Sequence, residues 1–121
     1  MLASRAATFA DVKKHYPDQT ASFRAWVVEL DGEAKGIIGL ALTRPFACLI
    51  SSFEPELRPH LKRPAVLRLI KKTEAAIKAS RLPVRAIADP NEPTAPGLLS
   101  RMGFEPLGKF AGDEIWEWSP D

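Results

Sequence analysis

The chain has 121 residues, with 17 lysines and arginines against 15 aspartates and glutamates, and 45% of its residues are hydrophobic. This length predicts one domain, residues 1–121, with a core that needs no disulfide, so a two-domain enzyme is excluded. A net charge of +2, scattered aromatic residues and no apolar run near the roughly 20 residues that cross a bilayer exclude a nucleic-acid or membrane partner. One cysteine, two histidines and no apolar leader predict a reducing, cytoplasmic location and no metal.

Hydrophobic periodicity and turn residues predict ten elements in the order β-α-β-β-β-α-β-α-β-β. Thr8 and Asp11 resemble a capping box that opens the first helix, and Asp31-Gly32 is a hairpin turn signal. The predicted strands cover 4–8, 23–30, 36–43, 46–54, 82–89, 104–110 and 114–118. The predicted helices cover 9–15, 64–80 and 94–102. This order is typical of an α/β fold, an α+β sandwich in which a mixed central sheet carries helices on both faces.

The strand at 46–54 is predicted to be central, because both of its faces begin apolar. Its last third becomes polar, and the carboxyl ends of central strands are where α/β folds place ligands. Cys48, in the middle of this strand, is predicted to lie in the core. Trp116 and Trp118 share one face of the last strand and are predicted to pack at the sheet edge or on a partner rather than to bind substrate.

A basic loop precedes the long helix. It carries Arg58, His60, Lys62 and Arg63, and Pro64 begins the helix. A helix N-terminus favours anions through its dipole and its free N–H groups, so this loop is a candidate phosphate site. The alternative interpretation is a solvated run of charges that caps a surface helix.

The C-terminal half carries a family resemblance. The segment 88–104 places an asparagine and an alanine after a strand and closes the following short helix with Gly-Phe. This pattern resembles the GNAT superfamily of N-acetyltransferases, and the hairpin at 26–39 extends the likeness over nearly the full chain. Short phage-encoded members are similar in size and in the ending Gly-Asp-Glu-Ile-Trp-Glu-Trp. The matching residues are Asn91, Ala95, Leu98, Gly103 and Phe104.

The resemblance implies an N-acyltransferase that moves an acetyl group from acetyl-CoA to a primary amine, with the acceptor left open. In the family, the central strand pairs with the pantetheine arm and the loop before the long helix holds the pyrophosphate. Glu54 is expected to deprotonate the amine, and Tyr16 to replace the acid that protonates the leaving thiolate. Glu54 as a solvated carboxylate and Asn91 as a turn residue are the alternatives. The residues expected to bind acetyl-CoA or CoA are Ser51, Ser52, Phe53, Arg58, Lys62, Arg63 and Asn91.

Three residues depart from the family pattern. Leu61 and Arg63 stand where the pyrophosphate loop has glycines, and Leu99 stands where the family often has the acidic tyrosine. These departures motivate an alternative function, a catalytically reduced binding or assembly module of the same fold in a phage particle. Its partners would be phage structural proteins, or further copies of this chain in a homo-oligomer.

Overall fold

The computed structural model describes residues 1–17, 22–88 and 95–120. The helices are α1 (Phe9–His15), α2 (Pro64–Ser80) and α3 (Ala95–Arg101), and a 3-10 helix, Pro55–His60, precedes α2. The predicted element order is confirmed; the 3-10 helix was not predicted. The strands are β1 (Leu2–Ala6), β2 (Phe23–Leu30), β3 (Glu33–Ala41), β4 (Ala47–Phe53), β5 (Val84–Ala88), β6 (Glu105–Phe110) and β7 (Asp113–Trp118).

All seven strands form one mixed sheet in the order β1-β2-β3-β4-β5-β7-β6. Neighbouring strands are antiparallel except β4 and β5, which are parallel. The β2–β3 hairpin turns through Asp31 and Gly32, both with positive φ (52° and 84°), which is the geometry of the tight turn that the sequence predicted. The fold class predicted from the sequence, a mixed sheet with helices, is therefore the observed one.

The first strand ends earlier than predicted, at Ala6 rather than at Thr8. Thr8 is the N-cap of α1: its hydroxyl accepts from the Asp11 N–H at 3.3 Å, and its own N–H donates to the Asp11 carboxylate at 2.7 Å. Arg5 donates to both oxygens of the same carboxylate at 2.6 and 3.0 Å. These bonds hold the pKa of Asp11 well below its usual range and raise that of Arg5.

Helices cover both faces of the sheet. On one face Val12 of α1 packs against Ile37 and Ile50, and on the other α2 and α3 pack over a core that includes Leu40 and Ala47. Both faces of β4 are therefore covered, as predicted. The Trp116 prediction was wrong: β7 lies between β5 and β6, so Trp116 is buried in the core of the α2–α3 face rather than at the sheet edge.

The predicted strand 82–89 is shorter in the structure, because Arg81 takes a left-handed conformation (φ 56°) at the end of α2 and β5 begins only at Val84. At the end of α3, Gly103 has φ 93°, and the Phe104 N–H donates to the Leu99 carbonyl, as expected of a glycine that terminates a helix. Position 94, where the predicted third helix begins, lies outside the described residues. Within the described ranges, no helix has the length and apolar character needed to span a membrane.

Candidate active site

The parallel strands β4 and β5 separate soon after they meet. They pair only at Ala47 with Val84 and at Cys48 with Arg85, and the Ala47 N–H donates to the Pro83 carbonyl at 2.9 Å. β4 then continues to Phe53 while it remains paired with β3 on its other side. Backbone groups alternate between the two edges of a strand, so those of 49, 51 and 53 point away from β3. The Leu49 N–H is used in the pairing with Arg85, which leaves the Leu49 carbonyl and the backbone groups of 51 and 53 facing the gap. The gap is thus an open strand edge in the middle of the sheet.

Tyr16 closes part of this edge. Its hydroxyl donates to the Ser51 carbonyl at 2.9 Å and accepts from the Ser51 N–H at 3.0 Å. Tyr16 is the C-cap of α1, and its own N–H donates to the Val12 carbonyl, so the helix end holds the ring beside β4. Burial raises the pKa of the Tyr16 phenol, which keeps its proton at neutral pH.

A cleft of about 660 Å³ opens between the separated strands. This volume lies within the range of about 300–1,000 Å³ that is usual for small-molecule sites. Cys48, predicted to be core, is half-buried: it packs against the α1-side core and also lines the cleft. The walls of the cleft come from β4 (Cys48 and Ser51), β5 (Arg85 and Ile87) and the β6–β7 hairpin (Leu107 and Phe110).

The backbone N–H groups of Leu61 and Arg63, where the family's pyrophosphate loop has glycines, are not free to bind a phosphate. Leu61 has φ −65°, which any residue adopts, and its N–H already donates to the Arg58 carbonyl at 3.3 Å. The Arg63 N–H donates to the His60 carbonyl at 3.0 Å, so neither N–H is available to a phosphate. An anion here would depend on side chains and on the first turn of α2.

A second concavity, of about 430 Å³, lies at the N-terminus of α2 and gathers three basic side chains, those of His60, Arg63 and Arg68. Arg68 is exposed and lies one helical turn after Pro64, which places it beside the basic loop. Arg58 and Lys62 are exposed on the same loop.

The other predicted site residues lie around the gap in different ways. The Glu54 carboxylate is 3.9 Å from the Lys35 ammonium and is not among the described residues that line the cleft. Phe53 packs its ring against the α2-side core, and Ser52 is half-buried on β4. Asn91 lies outside the described residues.

Arg85 is a site residue that the sequence did not indicate. Its Nε donates to the Glu117 carboxylate at 2.9 Å, and its guanidinium carbon lies 4.2 Å from the centre of the Phe46 ring. The pairing of β5 with β7 brings Arg85 and Glu117 together, and no local sequence signal joins residues so far apart. Among the described residues, no group of His, Cys, Asp and Glu side chains could hold a metal ion.

No protein-family model matches the chain, and no curated protein matches it. Several solved structures do match the chain. An acetyltransferase of the GNAT family from Staphylococcus aureus Mu50 superposes with a TM-score of 0.70 at 12% identity over 100% of both chains. The ribosomal-protein-S18-alanine N-acetyltransferase from Escherichia coli gives 0.68 at 9% identity over 98% of this chain and 93% of that one. PaiA N-acetyltransferase from Thermoplasma acidophilum, solved with coenzyme A, gives 0.62 at 16% over 90% and 66%. The resemblance inferred from the sequence is confirmed at the level of architecture: this chain has the fold of the GNAT N-acetyltransferases.

Proposed function

We propose that the chain is an acyl-CoA-dependent N-acyltransferase that moves an acetyl group from acetyl-CoA to a primary amine. The open backbone edge of β4 carries this proposal, because it borders a cleft of suitable size in a fold shared with N-acetyltransferases. A ligand that contains amide groups can pair with such an edge as an added strand would.

The residues present fit acetyl-CoA at two places. The carbonyls of Leu49 and Ser51 and the backbone groups of Phe53 would pair with the amides of the pantetheine arm, and these contacts do not depend on side-chain identity. The phosphates would lie at the N-terminus of α2, where Arg58, Lys62 and Arg63 supply charge in place of the missing glycine nest. Bound acetyl-CoA supplies the activated thioester.

The chain's own groups then orient the reaction. The Ser51 N–H is fixed by β4 and would donate to the oxygen of the acyl carbonyl, taking the place of its bond to Tyr16. The amine nitrogen forms the new bond to the carbonyl carbon while the carbon–sulfur bond breaks. Tyr16, which holds its proton at neutral pH, protonates the sulfur. The proton lost by the amine passes to Glu54 through water, since that carboxylate does not line the cleft.

Binding of acetyl-CoA is the first test. We expect acetyl-CoA to raise the melting temperature, with a stabilisation of about 2.7 kcal/mol at 100 times its Kd. Arg63→Glu should abolish most of this shift, whereas Lys71→Glu, at an exposed position on α2, should leave it intact. A second readout is alkylation of Cys48, the single cysteine, by iodoacetamide, which bound acetyl-CoA should slow. No shift and no protection at millimolar acetyl-CoA would reject the transferase and favour the assembly-module alternative.

Glu54 is tested by turnover. Glu54→Gln should lower the rate of thiol release by about 100-fold if its carboxylate takes the proton of the amine. Glu56→Gln, an exposed carboxylate two residues on, is the matched control and should keep the wild-type rate. Equal rates for Glu54→Gln and wild type would remove Glu54 from the mechanism.

A further inference from the structure

The cleft gathers apolar surface that the fold leaves exposed. Ile87, Leu107 and Phe110 all line it, and they expose 63%, 54% and 77% of their surface. Ile87 lies on β5 and the other two on β6, so they belong to the wall opposite β4. Large apolar side chains that remain exposed together, beside a cleft, are typical of a surface that binds a ligand.

The charges on this cleft are positive. Arg85 is the charged side chain that faces it, and no aspartate or glutamate is among the described lining residues. The Arg85 bond to Glu117 uses only Nε, so its terminal nitrogens have no partner within the described ranges. Lys109 also borders the cleft, but it pairs with Glu114, which shares a face of β7 with Trp116, so its side chain lies on the α2–α3 face of the sheet.

Two carboxylates of the neighbouring hairpin are already engaged. Glu117 accepts from Arg85, and Glu114 accepts from the Trp116 indole at 2.6 Å. Neither lines the cleft. An acceptor with a second positive charge would therefore meet like charge and no counter-ion, which disfavours polyamines.

Resting on the acyltransferase function proposed above, we infer that the acceptor is a primary amine that also carries a carboxylate and an apolar side chain, the class of the apolar α-amino acids. Its carboxylate is bound by Arg85, since a guanidinium held in one orientation can bind a carboxylate through two parallel hydrogen bonds. Its side chain contacts Ile87, Leu107 and Phe110. The amino group then points toward Ser51 across the gap.

The test compares ligands in the absence of acetyl-CoA, with protection of Cys48 from iodoacetamide and the melting temperature as readouts. Phenylalanine should protect at concentrations about tenfold or more below those needed for phenylalanine amide, which lacks the carboxylate. Glycine, which lacks the side chain, should be weaker than phenylalanine by a similar factor. Spermidine should not protect.

Variants test which residue causes the preference for phenylalanine over phenylalanine amide. Arg85→Gln should lower the preference for phenylalanine over its amide by about threefold or more, and Lys71→Gln should leave it unchanged. Where loss of the Arg85–Glu117 pair unfolds this variant, Arg85→Lys carries the test: it keeps the charge but not the planar pair of donors, and should lower the same preference by a smaller factor. Spermidine bound more tightly than phenylalanine, or a preference that both variants retain, would overturn the inference.

The two proposals fail separately. Acetyl transfer to spermidine without transfer to phenylalanine would overturn the acceptor class and leave the transferase standing. Protection by phenylalanine without any binding of acetyl-CoA would leave the amino-acid site and remove the transferase.

Discussion

Replacement of Tyr16 by phenylalanine removes only the hydroxyl that joins α1 to β4. Two bonds are lost, of 2.9 and 3.0 Å, and both are to Ser51 backbone groups that β5 does not pair. A neutral hydrogen bond contributes about 1 kcal/mol, and water can reach the exposed Ser51, so the expected loss of stability is about 1–2 kcal/mol. For a chain of this size, that corresponds to a fall in melting temperature of about 3–8 °C.

The same variant should bind acetyl-CoA more tightly while it turns over more slowly. In the wild-type protein the pantetheine arm must displace Tyr16 from Ser51; in Tyr16→Phe that cost is absent, so we expect Kd to fall about fivefold or more. The rate of thiol release should fall because the acid is gone. Calorimetric titration and a thiol-release assay measure the two effects, and Ser51→Ala, which keeps the backbone bonds, is the control for the melting temperature. A weaker Kd in Tyr16→Phe, or an unchanged melting temperature, would refute this reasoning.

Two further predictions concern stability. Ionised Asp11 stabilises the fold at pH values above its unfolded pKa of about 4, and this contribution is lost as the pH falls. Asp11→Asn should therefore lower the free energy of unfolding by about 1 kcal/mol at pH 7. The melting temperature of this variant should also depend less on acid pH than that of the wild type. A Cβ at Gly39 would lie 2.4 Å from the backbone of Ala25, so Gly39→Ala should destabilise by about 1–3 kcal/mol in urea unfolding. Gly97→Ala, where nothing lies within 4 Å in α3, should be neutral or stabilising by up to about 1 kcal/mol, and equal effects at the two glycines would contradict the packing argument.

The sequence by itself determined the local structure. The Thr8–Asp11 box, the Asp31-Gly32 turn, and Pro64 at the start of α2 each act within a few residues, so the elements and their order followed from adjacent side chains and backbone geometry. The alternation of apolar residues likewise indicated that both faces of β4 are covered. The family resemblance then indicated the fold of the N-acetyltransferases.

Only the tertiary structure decided how the site is assembled. Tyr16 meets Ser51 across 35 positions and Arg85 meets Glu117 across 32, contacts that depend on strand pairing and on where α1 ends. The separation of β4 from β5 has no local signal, because the register of two strands is set by the whole sheet. The same reason explains Trp116. The alternation of side chains along β7 suggested that this residue lies at the sheet edge, but it is buried in the core. The position of β7 between β5 and β6 is a property of the whole sheet, and the residues of β7 do not encode it locally.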